Sequence, residues 1–187
     1  MIAAFLQRLA RLLAAHRIPY MIIGGQAVLY YGSPRLTQDV DITLGVDTDA
    51  YERLARFCRA TKLTPLVKHP DAFAHETHVL PVTDAVTGVR VDFIFSNTPY
   101  ERQAIRRARR VRSGTTTLHL TTVDDLIVHK LVAGRPVDVD DVRVMLAKQA
   151  RHIHPAYVRR WLKAFEATGA VTTSPLATFE RLRRATA

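Results

Sequence analysis

Two aspartates separated by one residue, Asp39 and Asp41, are the pair in this 187-residue sequence whose spacing most suggests chemistry. Apolar and polar residues alternate from residue 39 to residue 44, which predicts a strand. Successive strand residues point to opposite faces, so both carboxylates share one face, about 7 Å apart along the backbone. Such neighbours repel unless a cation lies between them, and Mg²⁺ prefers carboxylate oxygens. We therefore expect a divalent-metal site here.

Two glycines, Gly24 and Gly25, follow a short apolar run, Tyr20 to Ile23, that predicts a buried strand. Glycine lets the backbone approach a ligand closely. The helix predicted from Gln26 to Tyr31 would add unpaired N–H groups that suit an anion. A phosphate-binding turn beside metal-binding carboxylates predicts nucleotide chemistry.

A third carboxylate, Asp92, lies in a strong strand pattern, VRVDFIF, at residues 89–95. A carboxylate in an apolar strand is costly unless it is paired, protonated or bound to a metal. Two interpretations remain open. Asp92 is either a further ligand of the metal site or one half of a structural ion pair with Arg90 or Arg35.

The segment GGQAVLYYGSPRLTQDVDI, residues 24–42, resembles the glycine–helix–acidic-strand signature of the nucleotidyltransferase superfamily with the polymerase-beta-like fold. The likeness extends from about Ile18 to Met145. It is strongest to small bacterial proteins of the abortive-infection toxin type (AbiEii-like) and to antibiotic nucleotidyltransferases. Many members have Gly-Ser where this chain has Gly24-Gly25, so a hydroxyl that usually helps to hold the phosphates is absent.

This resemblance implies a Mg²⁺-dependent enzyme that moves an NMP group from an NTP to a hydroxyl acceptor and releases pyrophosphate. Asp39, Asp41 and Asp92 would hold two Mg²⁺ ions, and Asp92 would also help to deprotonate the acceptor. Lys130, in an Asp-Leu-x-x-x-Lys context like that of the family, and Arg35 would neutralise charge on the triphosphate. Arg35 could instead hold Asp39 in place. The residues assigned to nucleotide binding are Gly24, Gly25, Arg35, Thr37, Lys130, Arg135, Asp138 and Asp141.

Asp138 and Asp140 repeat the Asp-x-Asp spacing and form a rival metal site. Pro136 precedes them, and a helical apolar pattern continues through them, so Asp138 is predicted to cap a helix. Asp140 and Asp141 would then lie favourably near the positive helix end. This pair is therefore not expected to be the metal centre. The resemblance implies that Arg135, Asp138 and Asp141 support the nucleotide site instead.

The formal net charge of +10 indicates a polyanionic partner. Arginine outnumbers lysine 22 to 5, however, which is also typical of a genome rich in G and C. A very basic helix is predicted from Pro99 to Arg112, either as a solvated face or as a surface for an RNA backbone.

The acceptor therefore stays open at this point. RNA or tRNA is favoured, as in toxin-like members, with an antitoxin protein as a candidate partner; an antibiotic or a protein side chain is the alternative. A second class is a non-catalytic nucleotide- or nucleic-acid-binding relative. Gly25 in place of serine favours that class, and the three retained carboxylates oppose it.

The expected fold is α/β (α+β), with a mixed β-sheet nucleotidyltransferase core flanked by helices at residues 1–120 and a helical region at residues 121–187. The histidine spacing of the segment His69 to His78 fits no usual zinc pattern, so a structural metal is not expected there. The segment is interpreted instead as a loop over the active-site mouth. Cys58, the single cysteine, lies on the apolar stripe of a predicted helix as a small core residue. No run approaches the roughly 18 to 20 apolar residues of a membrane span, so we expect a cytoplasmic protein without membrane contact.

Overall fold

The computed structural model describes residues 2–32, 37–169, 171 and 173–186. The chain divides into two compact units. We call residues 1–26 and 36–121 the sheet unit, and residues 27–35 and 122–187 the helical unit. The two units are described separately below.

Seven strands of the sheet unit form one mixed sheet in the order β3-β4-β5-β2-β1-β7-β6. The strands are β1 (Tyr20–Ile22), β2 (Val40–Leu44), β3 (Leu63–Pro65), β4 (Val79–Asp84), β5 (Arg90–Phe95), β6 (Arg109–Ser113) and β7 (Thr116–Leu120). Strand β2 runs parallel to β5 and β1 runs parallel to β7, whereas the other neighbours are antiparallel. The predicted mixed α/β fold is confirmed. Pro65 lies on the edge strand β3, where proline is tolerated because it removes no hydrogen bond from the interior of the sheet.

Helices accompany this sheet, and their starts follow local signals. They are α1 (Ile2–Ala15), α2 (Gly24–Tyr30, which continues into the helical unit), α3 (Tyr51–Thr61), α4 (Pro70–Thr77) and α5 (Pro99–Arg107). The Asp47 carboxylate accepts the backbone N–H of Asp49 and so caps a short 3₁₀ helix that leads into α3. Phe57 of α3 packs edge-on against Phe93 of β5, with ring centroids 6.2 Å apart.

The two faces of the sheet differ in chemistry. Residues paired across neighbouring strands point to the same face. Leu80, Phe93 and Ile42 are paired in this way, and all three are at most 1% exposed, so they belong to the core face. Asp41 and Asp92 are one residue out of phase with them, and therefore point to the opposite face.

The helical unit contains α6 (Val123–Ala133), α7 (Pro136–Gln149), α8 (Pro155–Ala167) and α9 (Pro175–Thr186). The Thr122 hydroxyl accepts the Asp125 backbone N–H and caps α6, and Gly134 ends this helix at a φ of +66°. Both are local signals: threonine is favoured at helix starts, and glycine adopts the left-handed conformation that commonly ends a helix.

Two predicted elements are wrong. The helix predicted from Pro99 to Arg112 ends at Arg107, and its last residues form the edge strand β6. The reason is tertiary: Arg109–Ser113 pair residue by residue with β7. Residues 69–78 were interpreted as a loop but contain helix α4, which Pro70 begins from its first turn. Among the described helices, none combines the length and hydrophobicity that a membrane span requires.

Candidate active site

The acidic residues of the sheet unit converge through strand pairing. Strands β2 and β5 are parallel, and Asp41 is the direct partner of Asp92. Their side chains therefore project from the same face of neighbouring strands, which are about 4.8 Å apart. Both are partly exposed, and Asp39, one residue before β2, is exposed. The arrangement provides hard oxygen donors at a surface that solvent can reach.

Gly24 forms the wall next to Asp41. It ends the β1 segment and begins α2 with a φ of +59°, a conformation that favours glycine. An ideal Cβ at Gly24 would lie 1.8 Å from Oδ2 of Asp41. The Ile23 N–H also donates to the Asp41 carbonyl oxygen, at 2.9 Å. The carboxylate of Asp41 thus lies against bare backbone, and any side chain at residue 24 would displace it.

Thr37 occupies the space beside Gly25. A Cβ at Gly25 would lie 2.4 Å from Oγ1 of Thr37. This hydroxyl is 3.3 Å from the carbonyl oxygen of Asp39, to which it donates. The serine that the resemblance leads one to expect at residue 25 is missing, but the structure brings the Thr37 hydroxyl to the same place. Glycine at residue 25 makes room for it.

Arg90 holds Asp92 from the same strand. Its Nε donates to Oδ1 of Asp92 at 2.9 Å, and its Nη2 donates to Oδ2 at 3.1 Å. These hydrogen bonds raise the pKa of the Arg90 guanidinium, and the charges of Asp92, Asp39 and Asp41 add to the rise. The ion pair with Arg90, one of the two interpretations of Asp92 from the sequence, is therefore present.

The fit of a divalent cation depends on this ion pair. Among the residues that the structure describes, no three Asp, Glu, His or Cys side chains are arranged as a metal-binding cluster. The donor set nevertheless suits Mg²⁺, because carboxylates on two adjacent strands share a face beside a glycine that leaves room for Asp41. Arg90 already supplies a positive charge to the same acids. The two Mg²⁺ ions stay a prediction.

The nucleotide-site residues assigned to the helical unit form a closed charge cluster there. Lys130 Nζ lies 2.7 Å from Oδ1 of Asp138 and 2.9 Å from Oδ2 of Asp141, and its side chain is only 5% exposed. Arg135 adds two hydrogen bonds to Asp138, at 2.6 and 3.1 Å. Burial alone would raise the pKa of Asp138, but the hydrogen bonds and charges of Arg135 and Lys130 lower it.

One prediction in this cluster needs correction. Arg135, not Asp138, is the residue before the first turn of α7, and Pro136 begins the helix. Asp138 lies inside the first turn, where its carboxylate is buried against Lys130 and Arg135. Its assignment to the nucleotide, with those of Lys130, Arg135 and Asp141, stays a prediction. Arg35 lies outside the described residues, and its role also stays a prediction.

Cys58 is a core residue, as predicted. It is 2% exposed, and burial raises the pKa of its thiol to about 12. A thiol of this kind is protonated at neutral pH and is a poor nucleophile.

No protein-family model and no curated protein matches the chain. Solved structures do match. An antigenic nucleotidyltransferase-like protein from Paracoccidioides brasiliensis is 19% identical, with a TM-score of 0.55 over 77% of this chain and 74% of that protein. The solution structure of the antibiotic-resistance factor ANT(2'')-Ia gives a TM-score of 0.61 at 11% identity, over 90% and 92% of the two chains. A crystal structure of ANT(2'')-Ia in complex with adenylyl-2''-tobramycin gives 0.58 at 12% identity, over 90% and 98%.

These similarities confirm the predicted fold, which is the fold of nucleotidyltransferases. At identities below one in five, they establish the architecture alone. The abortive-infection branch suggested by the sequence stays a prediction.

Proposed function

We propose that this chain is a nucleotidyltransferase that moves an NMP group from an NTP to a hydroxyl acceptor. The observation that carries the proposal is the register of Asp41 against Asp92 on parallel strands, beside the bare backbone of Gly24. The nucleotidyltransferase fold supports the proposal, because the fold and the acidic residues both point to nucleotidyl transfer.

Asp39, Asp41 and Asp92 are the residues that would hold Mg²⁺, which when bound supplies positive charge to the phosphates as pyrophosphate leaves. The chain's own groups perform the other tasks. Asp92 accepts the proton of the attacking hydroxyl. The backbone at Gly24, together with Gly25, and the Thr37 hydroxyl beside it bind phosphate oxygens.

RNA, and tRNA in particular, is the acceptor that we favour. The chain carries a formal charge of +10, and α5 and β6 of the sheet unit expose a set of arginines. They are Arg102, Arg106, Arg109, Arg110 and Arg112. Arginines of this kind contact phosphates irrespective of sequence, and each contact makes binding weaker as salt rises.

Labelled nucleotide tests the reaction. Each α-labelled NTP is incubated with protein, Mg²⁺ and total tRNA, and label in the RNA is measured. We expect Asp39→Ala and Asp41→Ala each to lower transfer by about 10²-fold or more, because each removes charge stabilisation of the transition state. Asp140→Ala is the matched control, since this exposed acid lies in the helical unit and pairs with Arg143. Label transfer that survives both substitutions would refute the assignment.

Salt dependence tests the acceptor. If the five exposed arginines contact five phosphates of a single strand, affinity should fall by about 10²-fold between 50 and 200 mM salt. Arg110→Gln with Arg112→Gln should flatten this dependence. Binding of RNA that does not change with salt would exclude the proposed surface.

A small-molecule acceptor is the second candidate. It is favoured by the similarity to ANT(2'')-Ia, which spans 90% of this chain. Transfer of label to an aminoglycoside, with none to RNA, would establish it.

A protein side chain as the acceptor is tested by looking for label in protein bands on a gel. If NTP binds without Mg²⁺ dependence and nothing is labelled, the chain is a non-catalytic relative. The toxin-like form of the proposal, with an antitoxin partner, predicts that wild-type expression arrests growth and that Asp41→Ala does not.

A further inference from the structure

Arg90 and Asp92 are nearest neighbours on the same face of β5. Both oxygens of Asp92 accept hydrogen bonds from the one guanidinium, a bidentate geometry that is among the stronger charge-assisted contacts. The exposure of the partners is unequal, because 50% of the Arg90 side chain is exposed and only 21% of that of Asp92. The Asp92 carboxylate is thus held in place. The Arg90 side chain, already half exposed, can turn towards solvent without first being released from the protein interior.

We propose that Arg90 is a positioning residue of the acid site, the group formed by Asp39, Asp41 and Asp92. Arg90 holds Asp92 in place until a divalent cation binds, and its guanidinium then leaves the Asp92 carboxylate. The inference rests on the proposed function, because it requires the acids to bind a metal.

Electrostatics gives the reason for a competition. Asp41 and Asp92 are register partners, with Asp39 close by on the chain, so three negative charges are gathered at one end of two strands. Arg90 is attracted to all three, and these attractions raise its pKa. The guanidinium would repel a divalent cation at the same carboxylates. It also occupies both Asp92 oxygens, so neither would be available as a metal ligand while the ion pair is formed. Metal binding and the ion pair therefore oppose one another.

A nucleotide would favour the release. The half-exposed guanidinium, once it leaves Asp92, is a suitable partner for a phosphate oxygen. A purely structural ion pair makes a different prediction: loss of Arg90 would then lower stability equally with and without metal, and would leave metal affinity unchanged. Metal binding measured apart from activity can separate the two.

Mn²⁺ binding to the full chain, followed by electron paramagnetic resonance, is the test. We expect Arg90→Gln to bind Mn²⁺ about three- to tenfold more tightly than the wild type, because a competing and partly exposed ion pair is removed. Arg90→Lys should lie between them, since lysine keeps the charge and loses the bidentate geometry. Arg143→Gln is the control, because Arg143 is 52% exposed and pairs with an acid of the helical unit.

A second measurement follows thermal unfolding in EDTA and in Mn²⁺. Arg90→Gln should unfold at a lower temperature than the wild type in EDTA, where the acids repel one another, and should gain more from Mn²⁺. Should Arg90→Gln fail to fold, Arg90→Lys carries both measurements. Wild-type affinity or weaker binding in the Arg90 variants overturns the inference, and leaves the label-transfer test of the proposed function standing. If the wild type and all variants fail to bind Mn²⁺ even with NTP, the inference and the metal part of the proposed function fail together.

Discussion

Methionine in place of Lys130 removes a positive charge from the interior of the helical unit and keeps a side chain of similar length. Lys130 is 5% exposed and bridges Asp138 and Asp141 at 2.7 and 2.9 Å. The substitution separates two explanations of this lysine. One makes it the counter-charge that stabilises α6 against α7, and the other makes it a ligand of the triphosphate.

The structure sets the size of the effect. Removing one partner of a buried ion pair costs about 3 to 5 kcal/mol, because a buried charge loses its compensation. Arg135 keeps its two hydrogen bonds to Asp138 in the variant. The loss therefore falls mainly on Asp141, and we expect the lower end, about 3 kcal/mol. A typical domain has a free energy of unfolding of about 5 to 15 kcal/mol, so the change should be large in any unfolding experiment.

Urea unfolding followed by tryptophan fluorescence measures it. The chain has one tryptophan, Trp161, and it lies in α8, so the signal reports on the helical unit. With an m-value of about 1.5 kcal/mol/M, a loss of 3 kcal/mol lowers the midpoint by about 2 M. Lys163→Met, at an exposed position of α8, is the control and should change stability by less than about 0.5 kcal/mol.

The outcome decides between the two roles. If Lys130→Met shifts the midpoint by less than about 0.5 M, the reasoning from the buried cluster is refuted. If Lys130→Met is as stable as the wild type but binds NTP more weakly, the predicted contact between Lys130 and the triphosphate is supported. A destabilised variant whose folded fraction binds NTP with wild-type affinity would assign Lys130 to stability.

Three further predictions follow from the sheet unit. Gly24→Ala should lower transfer by about 10²-fold, because its Cβ would meet Oδ2 of Asp41 at 1.8 Å and move that carboxylate; steady-state kinetics with retained circular dichroism checks it. Cys58, whose thiol pKa is raised to about 12 by burial, should react with an aromatic disulfide at pH 8 only after unfolding, and fast reaction of the native chain would contradict its core position. Burial would raise the pKa of Asp84, but hydrogen bonds from Arg8 and from the following turn lower it on balance. Its stabilisation is therefore present above pH 4 and is lost as the pH falls below about 4. Thermal unfolding between pH 3 and 6 should show a smaller decline for Asp84→Asn than for the wild type.

The parts of the fold that local signals determine could be read from the sequence. The caps at Asp47 and Thr122 and the helix end at Gly134 each depend on one side chain or one backbone conformation. Such features need no knowledge of distant residues. They lie directly at the two ends of α6 and at the beginning of the segment that leads into α3.

Pairing between distant strands could not be read in the same way. Arg109–Ser113 have good helix-forming arginines, yet they form β6 because β7 offers hydrogen bonds and Gly114 turns the chain with a φ of +57°. Strand β4 escaped prediction because Pro81 lies in its middle, although it pairs with β5 on one side and β3 on the other. Proline is usually confined to edge strands, so the pattern argued against a central strand here.

The acid site shows the same limit at the level of side chains. The alternation of β2 and β5 predicted the face of Asp41 and of Asp92 separately, but only the register shows that they are direct partners. Thr37 fills the space beside Gly25, although the two residues are twelve positions apart in the sequence. No local sequence pattern predicts this contact. The bidentate contact between Arg90 and Asp92, in contrast, follows from their i, i+2 spacing and was one of the two interpretations open from the sequence.

The two Asp-x-Asp pairs show why spacing alone cannot identify a metal site. Asp39 directly precedes strand β2, and Asp41 lies within it. In extended backbone, residues two apart have their side chains on the same face. Asp138 and Asp140 lie in helix α7, where the same spacing turns them about 200° apart. The Asp138 side chain is accordingly fully buried against Lys130, while that of Asp140 is 66% exposed. Since one ion cannot be shared by carboxylates on opposite sides of a helix, Asp140→Ala should leave Mn²⁺ binding unchanged, whereas Asp41→Ala should abolish it.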